Sequence, residues 1–209
     1  MTSIMNKFSP SKIKWILFDV GGVIIHLTLR NPSGYTVGTR FFDQKVLEGF
    51  FYTKEYTNYM LGTISHEQFI GKYLERHHLD LSVAEFDEVF KHDITPMEDM
   101  VTLIQKLEPK YKIGLATNEG KMITKYKIEC SGVLPYLSKV IPSYLLREIK
   151  PSASFYKKML TIIDAKPDEC VFIDDMPENV NMAQSLGLMG ILFKNATQLE
   201  KKLNELQLL

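Results

Sequence analysis

Residues 13–24 read IKWILFDVGGVI, an apolar run that ends at Asp19 and is followed by a pair of glycines. Two later runs, Tyr111–Ala116 and Cys170–Ile173, are also rich in aliphatic and aromatic residues and end in polar ones. Short apolar runs separated by helical patterns are typical of buried parallel strands. The sequence therefore predicts an α/β fold with a parallel sheet, in which Ile13–Phe18 is the first strand.

Polar residues stand directly after each of these three predicted strands. Asp19 follows the first, Thr117 the second and Asp174 the third. In open α/β sheets the ligand site lies beyond the carboxyl ends of the strands. We therefore expect these side chains to converge at one edge of the sheet.

Helix signals separate and follow the predicted strands. They are a capping box with proline at Thr95–Glu98, a cap at Ser152, a helix from Pro177 to Gly187 and a closing helix at Thr197–Leu209. A further strand is predicted at Leu188–Phe193.

The segment between Leu27 and Ile94 has a different pattern. It contains helical periodicity at Arg40–Phe51, Ser65–Arg76 and Val83–His92 but no convincing core strand. We therefore predict an α/β core made of residues 1–26 and 95–209, with residues 27–94 inserted as a helical cap. An insertion after the first strand would lie over the site and exclude water from it.

Composition excludes several classes of protein. The 209 residues are 45% hydrophobic, and 25 basic residues balance 25 acidic ones, which gives no reason to expect a nucleic-acid or membrane partner. Cys130 and Cys170 lie far apart without metal-site spacing, which favours a reducing compartment. With no signal peptide or membrane span evident, we expect a cytoplasmic protein.

Each strand-end residue has an ordinary reading beside a chemical one. A lone aspartate such as Asp19 is more often a turn residue, and Thr117 with Asn118 could likewise form only a turn. Lys150 precedes Pro151 at a helix start, where a solvated loop lysine is the ordinary reading and a buried cation near carboxylates is the chemical one. Adjacent acids at Asp174 and Asp175 repel each other unless a cation holds them, and Mg²⁺ suits such oxygen ligands.

Taken together, four segments resemble the haloacid dehalogenase superfamily of phosphohydrolases. They are FDVGGVI at 18–24, ATN at 116–118, KP at 150–151, and FIDD at 172–175 with Asn179 following. The resemblance covers nearly the whole chain and implies a Rossmann-like sheet with a helical cap inserted after the first segment.

The resemblance also implies a role for each matching residue. Asp19 would be the nucleophile, Thr117 and Asn118 would hold phosphate, and Lys150 would stabilise charge. The cofactor would be Mg²⁺, held by Asp19, the Gly21 backbone carbonyl, Asp174 and Asp175. The substrate would be a small phosphorylated molecule.

Gly21 departs from the family pattern. Phosphatases of this family usually carry a second aspartate at this position, which protonates the leaving group, whereas a subset resembling sugar-1-phosphatases has Asp-x-Gly. A missing proton donor predicts a rate that depends steeply on leaving-group pKa, and we expect Gly21→Asp to flatten that dependence. His26 could replace the donor, although a plain strand-end histidine is the better reading.

Three functions remain open from the sequence. The leading one is a phosphatase acting on a small metabolite such as a sugar phosphate, the second is a weakly catalytic phospho-ligand-binding or regulatory protein, and the third is a haloacid dehalogenase. Paired acids that bind magnesium disfavour the third. Aromatic and basic residues of the insertion could contact substrate but more often form a cap core; they are Tyr35, Arg40, Tyr52 and Tyr56.

Overall fold

The computed structural model of the protein describes residues 9–27, 33–51 and 53–209. In chain order, the strands are β1 Trp15–Phe18, β2 Ile25–Leu27, β3 Tyr35–Val37, β4 Arg40–Phe42, β5 Ile94–Pro96, β6 Lys112–Thr117, β7 Leu137–Pro142, β8 Cys170–Asp174 and β9 Met189–Leu192. The helices are α1 Lys54–Met60, α2 His66–Arg76, α3 Val83–His92, α4 Glu98–Leu107, α5 Lys121–Cys130, α6 Ser143–Leu146, α7 Ala153–Ile162, α8 Pro177–Ser185 and α9 Ala196–Glu205.

The central sheet has five parallel strands in the order β7-β6-β1-β8-β9. Trp15 of β1 pairs with Lys112 of β6 on one side and with Cys170 of β8 on the other. Every residue of β1 and β8 is buried, as expected for central strands covered by helices on both faces. The predicted α/β class and its parallel sheet are confirmed.

The predicted strands correspond to β1, β6, β8 and β9, each within a few residues of its expected bounds. The sequence pattern missed the edge strand β7, in which Ser138 and Lys139 are exposed. An edge strand needs no continuous apolar run, so its hydrophobic signal is weak.

Helix predictions were confirmed for α7, which Ser152 caps by accepting a hydrogen bond from the Ser154 N–H, and for α8 and α9. The capping box at Thr95 was wrong. Thr95 lies in β5 and pairs with His26 of β2, so its backbone is extended, and α4 begins at Glu98 after Met97 without a side-chain cap. Pairing with a distant strand decided the conformation of this segment, against its local signal.

Between β2 and β5, two of the three predicted helices are present as α2 and α3, each with a capping box, at Ser65 and at Ser82. The predicted helix at Arg40–Phe51 was wrong: β3 and β4 form a hairpin, and a 3₁₀ turn follows at Gln44–Leu47. Gly38, with φ of +60°, provides the hairpin turn. Helix α1 was not predicted, although Thr53 caps it.

Aromatic rings fill the space between these helices. Phe50 lies at the centre, with ring centroids 5.0–5.9 Å from those of five neighbours, namely Tyr56, Phe69, Tyr73, Phe86 and Phe90. The interpretation of Tyr56 as a core residue is thereby supported, whereas Tyr52 lies outside the described residues.

Within the described ranges, no helix combines the length and apolar character needed to cross a bilayer. Cys130 and Cys170 are both free thiols.

Candidate active site

Three carboxylates meet at the carboxyl ends of the central strands. Asp19 follows β1, and Asp174 and Asp175 end and follow β8; each contributes an oxygen atom to a group in which all three lie within 4.8 Å of one another. Because β1 and β8 are adjacent and parallel, their ends bring these residues together. The convergence expected from the strand ends is therefore observed.

A buried lysine lies between two of these carboxylates. Lys150 Nζ donates a hydrogen bond to Asp174 Oδ2 at 2.6 Å and forms an ion pair with Asp19 Oδ1 at 2.9 Å. Apart from this ion pair, the buried Asp19 Oδ1 has no partner among the described residues. Burial alone would lower the pKa of Lys150, but the negative charges of Asp19 and Asp174 outweigh it and raise that pKa above its ordinary value.

The acidic pair is more costly to ionise than free aspartate. Asp174 Oδ1 accepts hydrogen bonds from the Met176 N–H and from Asn179 Nδ2, both at 2.9 Å, yet burial raises the pKa of Asp174. Burial, followed by the charges of Asp19 and Asp174, raises the pKa of Asp175 to about 6.

This arrangement fits a divalent cation. Three carboxylates face one ammonium group, and Asp19 Oδ1 has no partner besides that group among the described residues. Hard carboxylate oxygens are the ligands that Mg²⁺ prefers, and a cation here would offset the repulsion that, together with burial as the larger cause, raises the pKa of Asp175.

The two glycines after Asp19 serve different needs. Gly22 has a φ of +74°, and a Cβ atom there would lie 2.4 Å from Asp175 Oδ2, so only glycine allows this carboxylate to approach the turn. The left-handed backbone belongs to Gly22 and not to Gly21, and a Cβ atom on Gly21 would have only ordinary contacts. A glycine pair directly after Asp19 indicates a backbone turn that an anion can approach closely, and here the Asp175 carboxylate approaches Gly22.

Residues at the end of β6 hold Lys150 and leave a hydroxyl group available. Asn118 Nδ2 donates to the Lys150 carbonyl at 2.9 Å, and the Lys150 N–H donates to Asn118 Oδ1 at 2.7 Å. The amide expected to hold phosphate is thus engaged in fixing the backbone of Lys150. Thr117 is buried, and in the described part of the chain its hydroxyl has no hydrogen-bond partner.

The sequence profile of haloacid dehalogenase-like hydrolases matches residues 16–193, nearly the whole chain. The chain belongs to this hydrolase family. Named relatives include flavin mononucleotide hydrolase 1 of Arabidopsis thaliana, 30% identical over 61% of this chain and 52% of the relative. This alignment spans only about half the length of that relative.

Two further comparisons cover more of the chain. A pyrophosphatase of Bacillus cereus is 22% identical over 84% of this chain and 81% of its own length. Among solved structures, a family enzyme of Bacteroides thetaiotaomicron in complex with magnesium and inorganic phosphate superimposes with a TM-score of 0.71 at 24% identity, covering 87% of this chain and 94% of that one. At this identity the likeness shows the fold.

His26, considered as a replacement donor, is not among the clustered groups of this hydrolase. It lies in β2 opposite Thr95, is exposed to solvent, and lines a surface cavity with Gly22 and Asp99. This position agrees with the plain strand-end interpretation.

Sequence reasoning missed a second buried ion pair in this hydrolase. Lys127 Nζ donates to Glu119 Oε2 at 2.6 Å, and the Tyr56 hydroxyl donates to the same oxygen at 3.0 Å. Burial, and then the charge of Glu119, raise the pKa of Tyr56 well above its ordinary value, so its hydroxyl stays protonated. No motif connects Tyr56 of α1 with a loop glutamate and a lysine of α5, and only the folded chain brings them together.

Proposed function

We propose that this chain is a magnesium-dependent phosphohydrolase that cleaves a small phosphorylated metabolite through an aspartyl-phosphate on Asp19. The observation that carries the proposal is the contact of Lys150 with both Asp19 and Asp174, at an Asp19 oxygen that has no other partner among the described residues. A cation thus lies against the Asp19 carboxylate at the end of β1, which supports a nucleophilic role for that carboxylate.

The proposed reaction has two steps. A carboxylate oxygen of Asp19 forms a bond to phosphorus while the bond from phosphorus to the leaving oxygen breaks, and that oxygen departs with the electron pair. Water then attacks the phosphorus of the aspartyl-phosphate, which releases inorganic phosphate and restores Asp19.

The other residues of the site hold charge and orient the substrate. Lys150 would stabilise the negative charge of the transferring group, and the free hydroxyl of Thr117 would bind a phosphoryl oxygen. Asn118 would act by fixing Lys150.

Asp19, the Gly21 carbonyl, Asp174 and Asp175 would hold Mg²⁺, which when bound supplies positive charge that offsets the repulsion between carboxylate and phosphate.

The same proposal assigns residues 27–94 to a cap and residues 1–26 and 95–209 to the core. Support comes from contacts that tie the insertion to the core next to the site: Ser143 Oγ donates to the Met60 carbonyl at 2.7 Å, and Tyr56 reaches Glu119. The proposed boundary falls in the β2–β5 ribbon, where the chain enters and leaves the insertion.

The names of the relatives support phosphate esters or anhydrides as substrates, and the Asp-x-Gly pattern adds sugar phosphates. A panel of an aryl phosphate, sugar 1-phosphates, flavin mononucleotide and pyrophosphate should be assayed with Mg²⁺, with EDTA, and after Mg²⁺ is restored. We expect turnover that EDTA stops and Mg²⁺ recovers. Turnover that persists in metal-free buffer would contradict the metal, and phosphate binding without any turnover would favour the binding-protein alternative.

A further inference from the structure

A cation borders the space that a side chain at Gly21 would fill. A Cβ atom built on Gly21 would lie 4.0 Å from Lys127 Nζ, and within 4 Å it meets no other described heavy atom beyond its chain neighbours. Gly21 stands two residues after Asp19, so this ammonium group lies within reach of a side chain at position 21. The cation belongs to α5, far from Gly21 in sequence.

Lys127 is held in this place by neighbours that leave part of its donor capacity free. Glu119 Oε2 accepts one of its N–H groups, while the Gly120 N–H and the Tyr56 hydroxyl donate to the glutamate and fix it in turn. A lysine ammonium has three hydrogens, and no second acceptor for them is found in the part of the chain described. The ring centroid of Phe51 lies 5.6 Å from Nζ, and the Lys127 side chain is only 6% exposed.

A purely structural role explains this pair poorly. Burial of two charges costs desolvation free energy that their attraction often only balances, and an apolar pair of similar size is frequently as stable. The pair also lies near the chain segment of the proposed nucleophile, because Lys127 Nζ is 4.0 Å from the position of a Cβ atom on Gly21, two residues after Asp19. A cation with free N–H groups at this position has a chemical use that a stability role lacks.

We propose that Lys127 is a catalytic residue that donates a hydrogen bond to the departing oxygen of the substrate, in place of the side chain missing at Gly21. The inference rests on the proposed phosphohydrolase function. As the phosphorus–oxygen bond breaks, its electron pair passes to the leaving oxygen, the ammonium group stabilises the developing negative charge, and the oxygen takes its proton from water on release. Poor leaving groups, which develop the most charge, gain most from this contact.

The test is a series of aryl and alkyl phosphates of increasing leaving-group pKa, assayed with Mg²⁺ on the wild type and on Lys127→Met. We expect kcat/KM for alkyl phosphates to fall roughly 10²-fold, the size of effect found on removing one such donor, and for the best aryl leaving groups only a few-fold. The plot of log kcat/KM against leaving-group pKa should therefore become steeper.

Two further variants act as controls. Lys125→Met removes an exposed lysine of the same helix, which pairs with Glu129, and should leave the plot unchanged. The double variant Lys127→Met with Glu119→Gln removes both charges of the pair. It replaces the single variant in the leaving-group series if circular dichroism shows that Lys127→Met alone fails to fold.

The outcomes separate this inference from the proposed function. An equal loss for every leaving group in the folded variants would show that Lys127 has only a structural role and would overturn the inference, while the phosphohydrolase proposal stands. Absence of phosphate hydrolysis by the wild type would overturn both.

Discussion

Two buried lysines flank the proposed site, and their surroundings differ. Lys150 and Lys127 both have side chains at most 6% exposed, and each Nζ lies 2.6 Å from a carboxylate oxygen. Lys150 faces Asp19 as well as Asp174, with Asp175 beside them, so its cluster keeps an excess of negative charge. Lys127 faces Glu119, whose other partners are neutral donors.

The difference indicates what each region can do. The Lys150 cluster, with its excess negative charge, favours a divalent cation and a nucleophilic carboxylate. In the Lys127–Glu119 pair the charges balance, so the ammonium group is held in place without a metal. We therefore assign the Lys150 region to the transferring phosphoryl group and the Lys127 region to the leaving group. The predictions below test this division.

The largest expected effect is that of Asp19→Asn, which removes the nucleophile at nearly constant volume. Turnover should fall to the background for every substrate, because no aspartyl-phosphate can form. The fold should persist, since the change removes one of three mutually repelling carboxylates. Steady-state assays with circular dichroism check both points, and substantial activity in the folded variant would rule out the covalent mechanism.

The next largest effect is expected for Lys150→Met, which, like Lys127→Met, removes a buried positive charge but differs in how the loss of kcat/KM depends on the leaving group. Loss of charge next to the transferring group should lower kcat/KM by roughly 10²–10³-fold. The factor should be similar for all leaving groups, because the group that Lys150 stabilises is common to all substrates. Folding should be verified with Mg²⁺ present, since the variant leaves the buried Asp174 without its cation. A leaving-group-dependent loss here would break the proposed division.

Sequence patterns revealed the Lys150 region and not the Lys127 region, for a physical reason. Asp19, Thr117 and Asp174 each follow a buried strand, and parallel strands carry such residues to one edge, so local patterns sufficed to place them. Tyr56, Glu119 and Lys127 meet only because the insertion packs on the core, and no local pattern encodes that packing.

In the fold as well, local sequence patterns failed wherever distant segments of the chain decide the structure. Central strands β1 and β8 could be predicted from uninterrupted apolar runs, whereas the edge strand β7 and the β2–β5 ribbon could not. Thr95 shows why: its capping-box pattern was genuine as a local signal, but pairing with His26 prevailed. Asn118 shows the corresponding limit for the site, since its side chain is directed to the backbone of Lys150.

A smaller effect concerns pH and magnesium. The pKa of Asp175 is raised to about 6 from an ordinary value of 3.8, so between these values the metal-free folded protein binds more protons than the unfolded chain. This group therefore makes the metal-free protein less stable as pH rises through that window. Mg²⁺ requires the ionised carboxylate, so the increase in Tm on adding Mg²⁺ should be small at pH 5 and larger at pH 7.

The control for this pH effect is Asp175→Asn, which should reduce the pH dependence of the Mg²⁺-induced change in Tm to the part that Asp174 contributes, because burial raises the pKa of Asp174 as well. Thermal denaturation at several pH values, with and without Mg²⁺, provides the measurement. A change in Tm of equal size at both pH values in the wild type would contradict the assignment of Asp175 to the metal.

The smallest expected effect is that of Gly21→Asp, and the structure changes what the sequence led us to expect. From sequence, an aspartate here should supply the missing proton donor and flatten the leaving-group dependence. Because Gly21 lacks a positive φ and a Cβ atom would lie 4.0 Å from Lys127 Nζ, the variant should fold, with its new carboxylate beside that ammonium group. An aspartate next to a cation has a lowered pKa and stays ionised, so it cannot donate a proton, and it neutralises the charge offered to the leaving oxygen. For Gly21→Asp alone, we therefore expect alkyl phosphate turnover to stay within a few-fold of the wild type.

The double variant Gly21→Asp with Lys127→Met should behave differently. Its new carboxyl group has no cation beside it and can act as the proton donor, so part of the loss that Lys127→Met causes on alkyl phosphates should be recovered. Leaving-group series on the two variants measure this, and a clear gain in the single variant would show that Lys127 does not reach the leaving oxygen.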